Sequence, residues 1–199
     1  MRTSLALDAD AQELLFRAAH TAYSFSDEPV SDETVRAIYD LVKWGPTSMN
    51  QQPLRVVLIR SEQARDRLVQ HMIEPNQAKT KAAPLVAILA ADTQFHQNLP
   101  RVFPQFPIAK GFFDGDDDLR EQSATQNALL QAGYFLLGIR AAGLAAGPQG
   151  GFDEDAVNKE FFGDGRYRAL IVVNIGEPGE GAFWDRNPRL DYDEVVTTL

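Results

Sequence analysis

Hydrophobic residues recur every three or four positions in several stretches of the chain, which is the spacing of amphipathic helices. The pattern predicts a first helix over residues 8–22 and a second helix that Ser31 caps and Gly45-Pro46 ends. A short helix is predicted after Asp153. The longest helix is predicted over residues 119–144 and is apolar nearly all round, which is typical of a helix inside a domain or between subunits.

Short apolar runs predict three buried strands, over residues 54–60, 85–91 and 169–175. Helices outnumber strands and do not alternate regularly with them, so we expect an α+β fold. No flexible linker divides the chain, and residues 1–199 are therefore predicted to form one domain. The segment over residues 92–118 is long for a connection, and such segments are often lids.

The composition excludes several kinds of chemistry and several classes of partner. The chain has no cysteine, and its three histidines are not spaced for a shared metal site, so thiol and metal chemistry are not expected. A net charge of −9 disfavours nucleic-acid binding. Neither a secretory signal nor a membrane span is expected, which predicts a cytoplasmic protein.

A polar turn over residues 45–53 is the most informative motif. It places Pro46, Thr47, Ser48 and Asn50 between a helix and a strand, where hydroxyl and amide groups could bind one flat polar ligand. The same residue types are also common in ordinary turns, so a simple connector remains an alternative.

Three further segments fit the same ligand. Asn76 and Lys79 would share one helix face, where an amide and an ammonium group suit an electron-accepting ring. Alternatively, this helix face is simply exposed to solvent. The glycines of residues 147–152 would let backbone N–H groups approach a ligand, unless they only form a helix end and turn. Arg186 and Arg189 are a candidate phosphate clamp, and the alternative is surface charge.

The order of these segments resembles the nitroreductase family of flavin enzymes. The resemblance rests on Gly-Pro-Thr-Ser-x-Asn-x-Gln-Pro at 45–53, Asn-x-x-Lys at 76–79, Gly-Pro-x-Gly-Gly-Phe at 147–152 and Pro-Arg-Leu at 188–190. The malonic semialdehyde reductase-like subgroup is the most similar. The resemblance implies a mixed central sheet flanked by helices, a long buried central helix, and a homodimer with FMN at the subunit interface.

The resemblance also implies which residues contact FMN. One subunit would contribute Pro46, Thr47, Ser48 and Asn50, and the other would contribute Asn76, Lys79, Pro148, Gln149, Gly150 and Gly151. Arg189, with Arg186, would hold the phosphate. The family commonly opens with an Arg-x-Ser-x-Arg-like signature, where this chain has His20, Thr21 and Tyr23. Either a protonated His20 or the two arginines would then supply the missing charge.

The function implied is an FMN-dependent NAD(P)H oxidoreductase that passes a hydride to a small acceptor by a ping-pong mechanism. The acceptor could be a semialdehyde, a nitro compound or a quinone, and no side-chain acid or base is assigned. The alternative is a flavin-binding store or sensor without turnover. The segment over residues 92–118 contains four phenylalanine rings that would form one wall above the flavin. Alternatively, these rings only pin the segment to the core. They are Phe103, Phe106, Phe112 and Phe113.

Overall fold

The structure is a computed structural model that describes residues 5–199. Its helices are α1 Ala9–Gln12, α2 Asp32–Val42, α3 Glu62–Val69, α4 Glu74–Ala82, α5 Leu99–Val102, α6 Asp117–Ala141, α7 Glu154–Phe161 and α8 Tyr192–Val195. Its strands are β1 Leu54–Ile59, β2 Leu85–Asp92, β3 Ala145–Gln149 and β4 Tyr167–Gly176. The α+β fold class is confirmed.

The four strands form one sheet in the order β1-β2-β4-β3, and every pairing is antiparallel. The expectation of a mixed sheet is therefore wrong for the strands of residues 5–199. A parallel contact is limited to one isolated bridge, where Thr21 pairs with Ala146 at the outer edge of β3. Within the described residues, the fold is thus built around an antiparallel sheet with helices on both faces.

Alternate residues of β2 point into two separate hydrophobic layers. Leu85, Ala87 and Leu89 pack with residues of α2 and α6 on one face. Val86 and Ile88 pack on the other face with residues of α3, α7 and the chain around Met72. Because all eight residues of β2 are buried, this strand is the centre of the core.

Helix caps set the boundaries of the helices that sequence patterns predict well. The Ser31 hydroxyl accepts a hydrogen bond of 3.1 Å from the Thr34 amide at the start of α2, and the Asp153 carboxylate caps α7 in the same way. Asp116 caps α6, and Gly143, with φ at +78°, follows its C-terminal end. The predicted positions of these three helices are confirmed.

The predicted first helix is too long. Helix α1 ends at Gln12 and continues as a single π-helical turn to Arg17. The chain then becomes extended, because the Ala22 amide donates to the Ala146 carbonyl (3.0 Å) and the Tyr23 amide donates to the Ala182 carbonyl (2.9 Å). Tertiary pairing therefore overrides the helical spacing of the alanines.

The glycine segment that sequence patterns assign to a turn begins as a strand. Residues 145–149 form β3, in which Gly147 pairs with Asn174 of β4. Pro148 is tolerated because β3 is an edge strand of the four-stranded sheet, where a missing backbone donor is least harmful. The long segment over residues 92–118 contains α5 and two 3₁₀ turns. Within residues 5–199, no helix is long and apolar enough to cross a membrane.

Candidate functional site

A cleft of about 370 Å³ lies between the C-terminal half of α6, the edge strand β3 and the chain that follows Pro178. Its walls combine aliphatic side chains of α6 with polar and charged groups of the tail. The principal lining residues are Leu15, His20, Thr21, Tyr23, Gly133, Leu136, Arg140, Pro148, Trp184, Arg186 and Arg189.

Backbone pairing between the tail and residues 19–26 builds one side of this cleft. The Tyr23 amide donates to the Ala182 carbonyl (2.9 Å), and the Ser24 hydroxyl donates to the Glu180 carbonyl (2.8 Å). This pairing brings Arg186 and Arg189, which are distant in sequence, beside His20 and Thr21. His20 and Thr21, which stand where the basic signature is expected, therefore line the same cleft as the predicted phosphate clamp of Arg186 and Arg189.

Three guanidinium groups lie in this cleft. Arg186 donates to the carbonyls of Arg17 and Ala19, the latter at 3.1 Å. Arg140 donates to the Leu14 and Leu144 carbonyls, and burial lowers its pKa. Arg189 donates only to carbonyls of its own turn among the described residues, those of Asn187 and Pro188, so its guanidinium is the least committed of the three.

Sequence patterns did not identify Arg140. It stands in the last turn of α6, where the helix dipole favours a cation. This position alone accounts for an arginine in the sequence, even if no ligand binds there. Its place beside His20 became apparent only from the tertiary structure.

An aromatic pair also lines the cleft. The Tyr23 ring stacks on the Trp184 indole with centroids 4.0 Å apart and planes 6° from parallel. The Lys79 ammonium lies 5.1 Å from the centroid of the Tyr23 ring, and burial lowers the pKa of Lys79. His20 packs instead against Phe183, at 5.5 Å between ring centroids. Trp184, which has no motif around it, is a second residue that sequence patterns missed.

Asn76 and Gly151 hold α4 against the chain after β3. The Asn76 side-chain amide and the Ile73 backbone amide both donate to the Gly151 carbonyl, at 3.0 and 3.1 Å. A Cβ at position 151 would lie 2.5 Å from the Ile73 Cδ1 atom and 2.7 Å from the Asn76 Nδ2 atom, so a larger residue would displace both side chains. Gly150 is exposed, whereas the side chain of Gln149 is buried and turns away towards α4.

The turn over residues 46–53 is held in an unusual backbone conformation by α6. Met49, Asn50 and Gln52 all have φ near +50°, a region that is uncommon for residues other than glycine. The Asn127 side chain accepts a hydrogen bond of 2.8 Å from the Ser48 amide. Gln131 accepts one of 3.0 Å from Leu54, directly after the turn. Side chains of the long helix therefore fix the shape of the turn.

The polar groups of this turn have different surroundings. Pro46 and Ser48 are exposed, and the Thr47 hydroxyl accepts a hydrogen bond from Gln52 (3.2 Å). The Asn50 side chain donates to the Val102 carbonyl (2.7 Å), which links the turn to the phenylalanine segment. Within the described structure, residues 46–50 do not line the cleft around Arg189. A single chain thus presents the predicted binding residues as two separate groups.

The phenylalanine segment divides into exposed and buried rings. Phe106 packs against Phe103 and Phe112, at 6.4 and 5.7 Å between ring centroids. Phe106 and Phe112 are 39% and 47% exposed. Phe113 is only 5% exposed and packs edge-on against Phe95 in the core, so its assignment to a substrate wall is wrong.

Comparisons with known proteins agree on one family. A curated relative from Streptomyces coelicolor, provisionally named NADH dehydrogenase/NAD(P)H nitroreductase, is 60% identical over 196 residues, which are 98% of this chain and all of the relative. An Exiguobacterium sibiricum protein, described as a nitroreductase in complex with FMN, has a similar fold (TM-score 0.83, 19% identity, 98% of this chain and all of that one).

A second solved structure has the same fold. It is the NADPH:FMN oxidoreductase of Vibrio harveyi complexed with NAD⁺ (TM-score 0.76, 19% identity, 95% of this chain and 76% of that one). The model of the "Nitroreductase family" matches residues 16–177, which include the polar turn, Lys79 and the glycine segment. The chain therefore belongs to the nitroreductase family.

Proposed function

We propose that this protein is an FMN-dependent NAD(P)H oxidoreductase that reduces a small organic acceptor. The observation that carries the proposal is a cleft lined by three guanidinium groups, with an ammonium group close to one of its aromatic residues. Arg186, Arg189 and Arg140 line the cleft, and the Lys79 ammonium lies over the ring of Tyr23, which also lines it. Such an arrangement suits a ligand that combines a phosphate with an electron-accepting ring.

The residues present fit FMN in size and chemistry. A volume of about 370 Å³ is within the range of small-molecule pockets, roughly 300–1,000 Å³. The guanidinium of Arg189 is bonded only to its own turn within the described chain, so it can turn to a phosphate without leaving a buried carbonyl unpaired. Gly150, two residues after Pro148 of the cleft wall, has open space where a Cβ would be, so a flat ring could approach its backbone.

When bound, FMN would supply the hydride chemistry, accepting a hydride from NAD(P)H and delivering it to the acceptor. The protein would bind and orient the cofactor. Arg189, with Arg186, would hold the phosphate, and the Lys79 ammonium would stabilise negative charge on the reduced ring. The Asn76–Gly151 hydrogen bond would fix the backbone beside the ring. No side-chain acid or base is required by this assignment.

We further propose that the active form is a homodimer. Helix α6 leaves Leu129, Leu130 and Tyr134 between 39% and 47% exposed, and the nearby Trp44 is 80% exposed. Exposed apolar residues on one long helix indicate a surface that another protein covers. A second copy would also bring the turn over residues 46–50 to the cleft of its partner. Light scattering that gives a stable monomer at micromolar concentration would contradict this proposal.

The cofactor assignment is tested on purified protein. We expect a yellow preparation whose spectrum matches FMN, and release of FMN rather than FAD on denaturation. Under anaerobic conditions, NADH or NADPH should bleach the colour, and an added acceptor should restore it. Colourless protein that does not bind FMN in a fluorescence titration would exclude the proposal. Bound FMN that neither nucleotide reduces would favour the storage or sensor alternative.

The resemblance to malonic semialdehyde reductase-like proteins supports a proposal for the acceptor class. We propose a small semialdehyde as the preferred acceptor, with nitro compounds and quinones as alternatives. The exposed rings of Phe106 and Phe112 belong to the segment that Asn50 joins to the polar turn. This link supports a role for these rings beside the acceptor.

Replacing Phe112 with alanine should change acceptor choice. We expect the kcat/KM ratio between a small aldehyde and a nitroaromatic to shift by about three- to tenfold, or about 0.7–1.4 kcal/mol, because a half-exposed ring contributes only the lower part of what one apolar contact is worth. The rate of reduction by NAD(P)H should change less. Ile108→Ala, which removes another exposed apolar side chain (62% exposed) from the same segment, is the control. An unchanged ratio in both variants would remove Phe112 from the acceptor site.

A further inference from the structure

Four buried polar side chains interrupt the hydrophobic layer behind the glycine segment. Asn76 and Thr80 stand four residues apart on one face of α4 and are 8% and 0% exposed. Gln149 ends β3 and is 6% exposed, and Asn174 of β4 is completely buried. The surrounding residues of this layer are apolar, which makes a polar cluster at this place unusual.

Two hydrogen bonds between side chains and neighbouring groups join α4 to the end of β3. The Asn76 Nδ2 atom donates to the Gly151 carbonyl (3.0 Å), and the Gln149 Nε2 atom donates to the Thr80 Oγ1 atom (3.0 Å). The first bond is partly buried, whereas the second lies wholly in the interior. Both set the position of α4 relative to residues 149–151.

Stability alone does not account for the inner hydrogen bond. The Oε1 atom of Gln149 and both polar side-chain atoms of Asn174 are buried without a hydrogen-bond partner in the described structure. Such groups destabilise a fold, and an apolar pair of similar shape can replace a buried hydrogen bond with little loss. The role of the Thr80–Gln149 pair therefore lies in the positions of the groups that it holds, rather than in stability.

One of these groups is Lys79. Lys79 directly precedes Thr80 on α4. The hydrogen bond from Gln149 to Thr80 holds the rotation of α4, and it therefore limits where the Lys79 side chain can point. The Lys79 ammonium lies 5.1 Å from the centroid of the Tyr23 ring, and Tyr23 lines the cleft. On the opposite side of the same hydrogen bond, Gln149 leads directly into Gly150 and Gly151.

We propose that Thr80 and Gln149 are positioning residues that fix the Lys79 ammonium relative to the Gly150–Gly151 backbone. This proposal rests on the proposed function, because the lysine and this backbone are both groups that the proposed function assigns to the flavin ring. The Thr80–Gln149 hydrogen bond would thereby tune how strongly the ammonium stabilises the reduced cofactor.

The decisive variant is the double substitution Thr80→Val with Gln149→Leu, which replaces the hydrogen bond by an apolar pair of similar shape. We expect the melting temperature and the FMN dissociation constant to remain near those of the unchanged protein. The equilibrium constant for reduction of bound FMN should fall about three- to tenfold, which corresponds to about 15–30 mV for a two-electron couple. The single variant Thr80→Ser, which keeps the hydroxyl, should retain the potential of the unchanged protein.

Thr93→Val is the matched control. Thr93 lies beyond the other end of β2, and its hydroxyl donates to the Arg166 carbonyl (2.9 Å), so this variant removes a comparable hydrogen bond away from the cleft. An unchanged potential in the folded, FMN-bound double variant would overturn the positioning role and leave the proposed function intact. If the double variant does not fold, an unchanged potential in Thr80→Val alone would overturn it. Failure of the unchanged protein to bind FMN would overturn both proposals.

Discussion

Replacing Lys79 with methionine is expected to lower kcat/KM with NAD(P)H by about a hundred- to a thousandfold. This is the usual effect of removing one group that stabilises developing charge in a water-poor site. Methionine keeps most of the aliphatic volume beside Tyr23, so the fold should be retained. Stopped-flow measurement of the anaerobic reduction of bound FMN reports this step directly. A reduction rate within threefold of the unchanged protein would rule out the electrostatic role.

Lys79→Arg separates charge from shape. Arginine retains the positive charge, so we expect it to recover much of the reduction rate. Burial lowers the pKa of Lys79, so the ammonium is lost at a lower pH than in an exposed lysine. The unchanged protein should therefore lose kcat/KM on the alkaline side of its pH profile. The arginine variant should not show this loss, because a guanidinium keeps its proton throughout the accessible range.

Replacing Arg189 with alanine is expected to weaken FMN binding by about one to two orders of magnitude. The loss of one hydrogen bond to a charged group is worth about 1.5–3 kcal/mol. The fold should not change, because the Arg189 side chain bonds only to carbonyls of its own turn within the described chain. Fluorescence titration of the apoprotein with FMN measures the effect.

Arg67→Ala is the appropriate control for Arg189. Arg67 also carries an exposed guanidinium, but it pairs with Glu160 on the surface between α3 and α7. We expect its removal to leave the FMN dissociation constant unchanged. If Arg189→Ala has no effect either, the phosphate is held elsewhere in the cleft, and His20→Ala becomes the next variant to measure.

The sequence predicts well those helices whose ends are determined by residues at the ends themselves. Ser31, Asp153 and Gly143 determine helix ends through their own side chains or backbone, so α2, α7 and the end of α6 could be located without tertiary information. Pairing with distant segments could not be read in the same way. Gly147 and Pro148 indicate a turn locally, and they form an edge strand only because β4 provides a partner.

The candidate site shows the same division. Motif residues such as Asn76 and Lys79 were identified because their spacing matches a known family. Arg140 and Trp184 belong to no recognisable motif, and they reach the cleft only through the packing of α6 and the tail. Phe113 shows the reverse error, since composition cannot tell a ring that faces a ligand from one that packs against Phe95.

The stacking of Trp184 on Tyr23 also makes the cleft observable by optical methods. The chain contains two tryptophans, and the other, Trp44, is 80% exposed on a different surface. In a Trp44→Phe variant, all indole emission would come from the cleft. A flavin bound there would absorb that emission by energy transfer. The protein would then report occupancy of each of its own sites in real time, without a label.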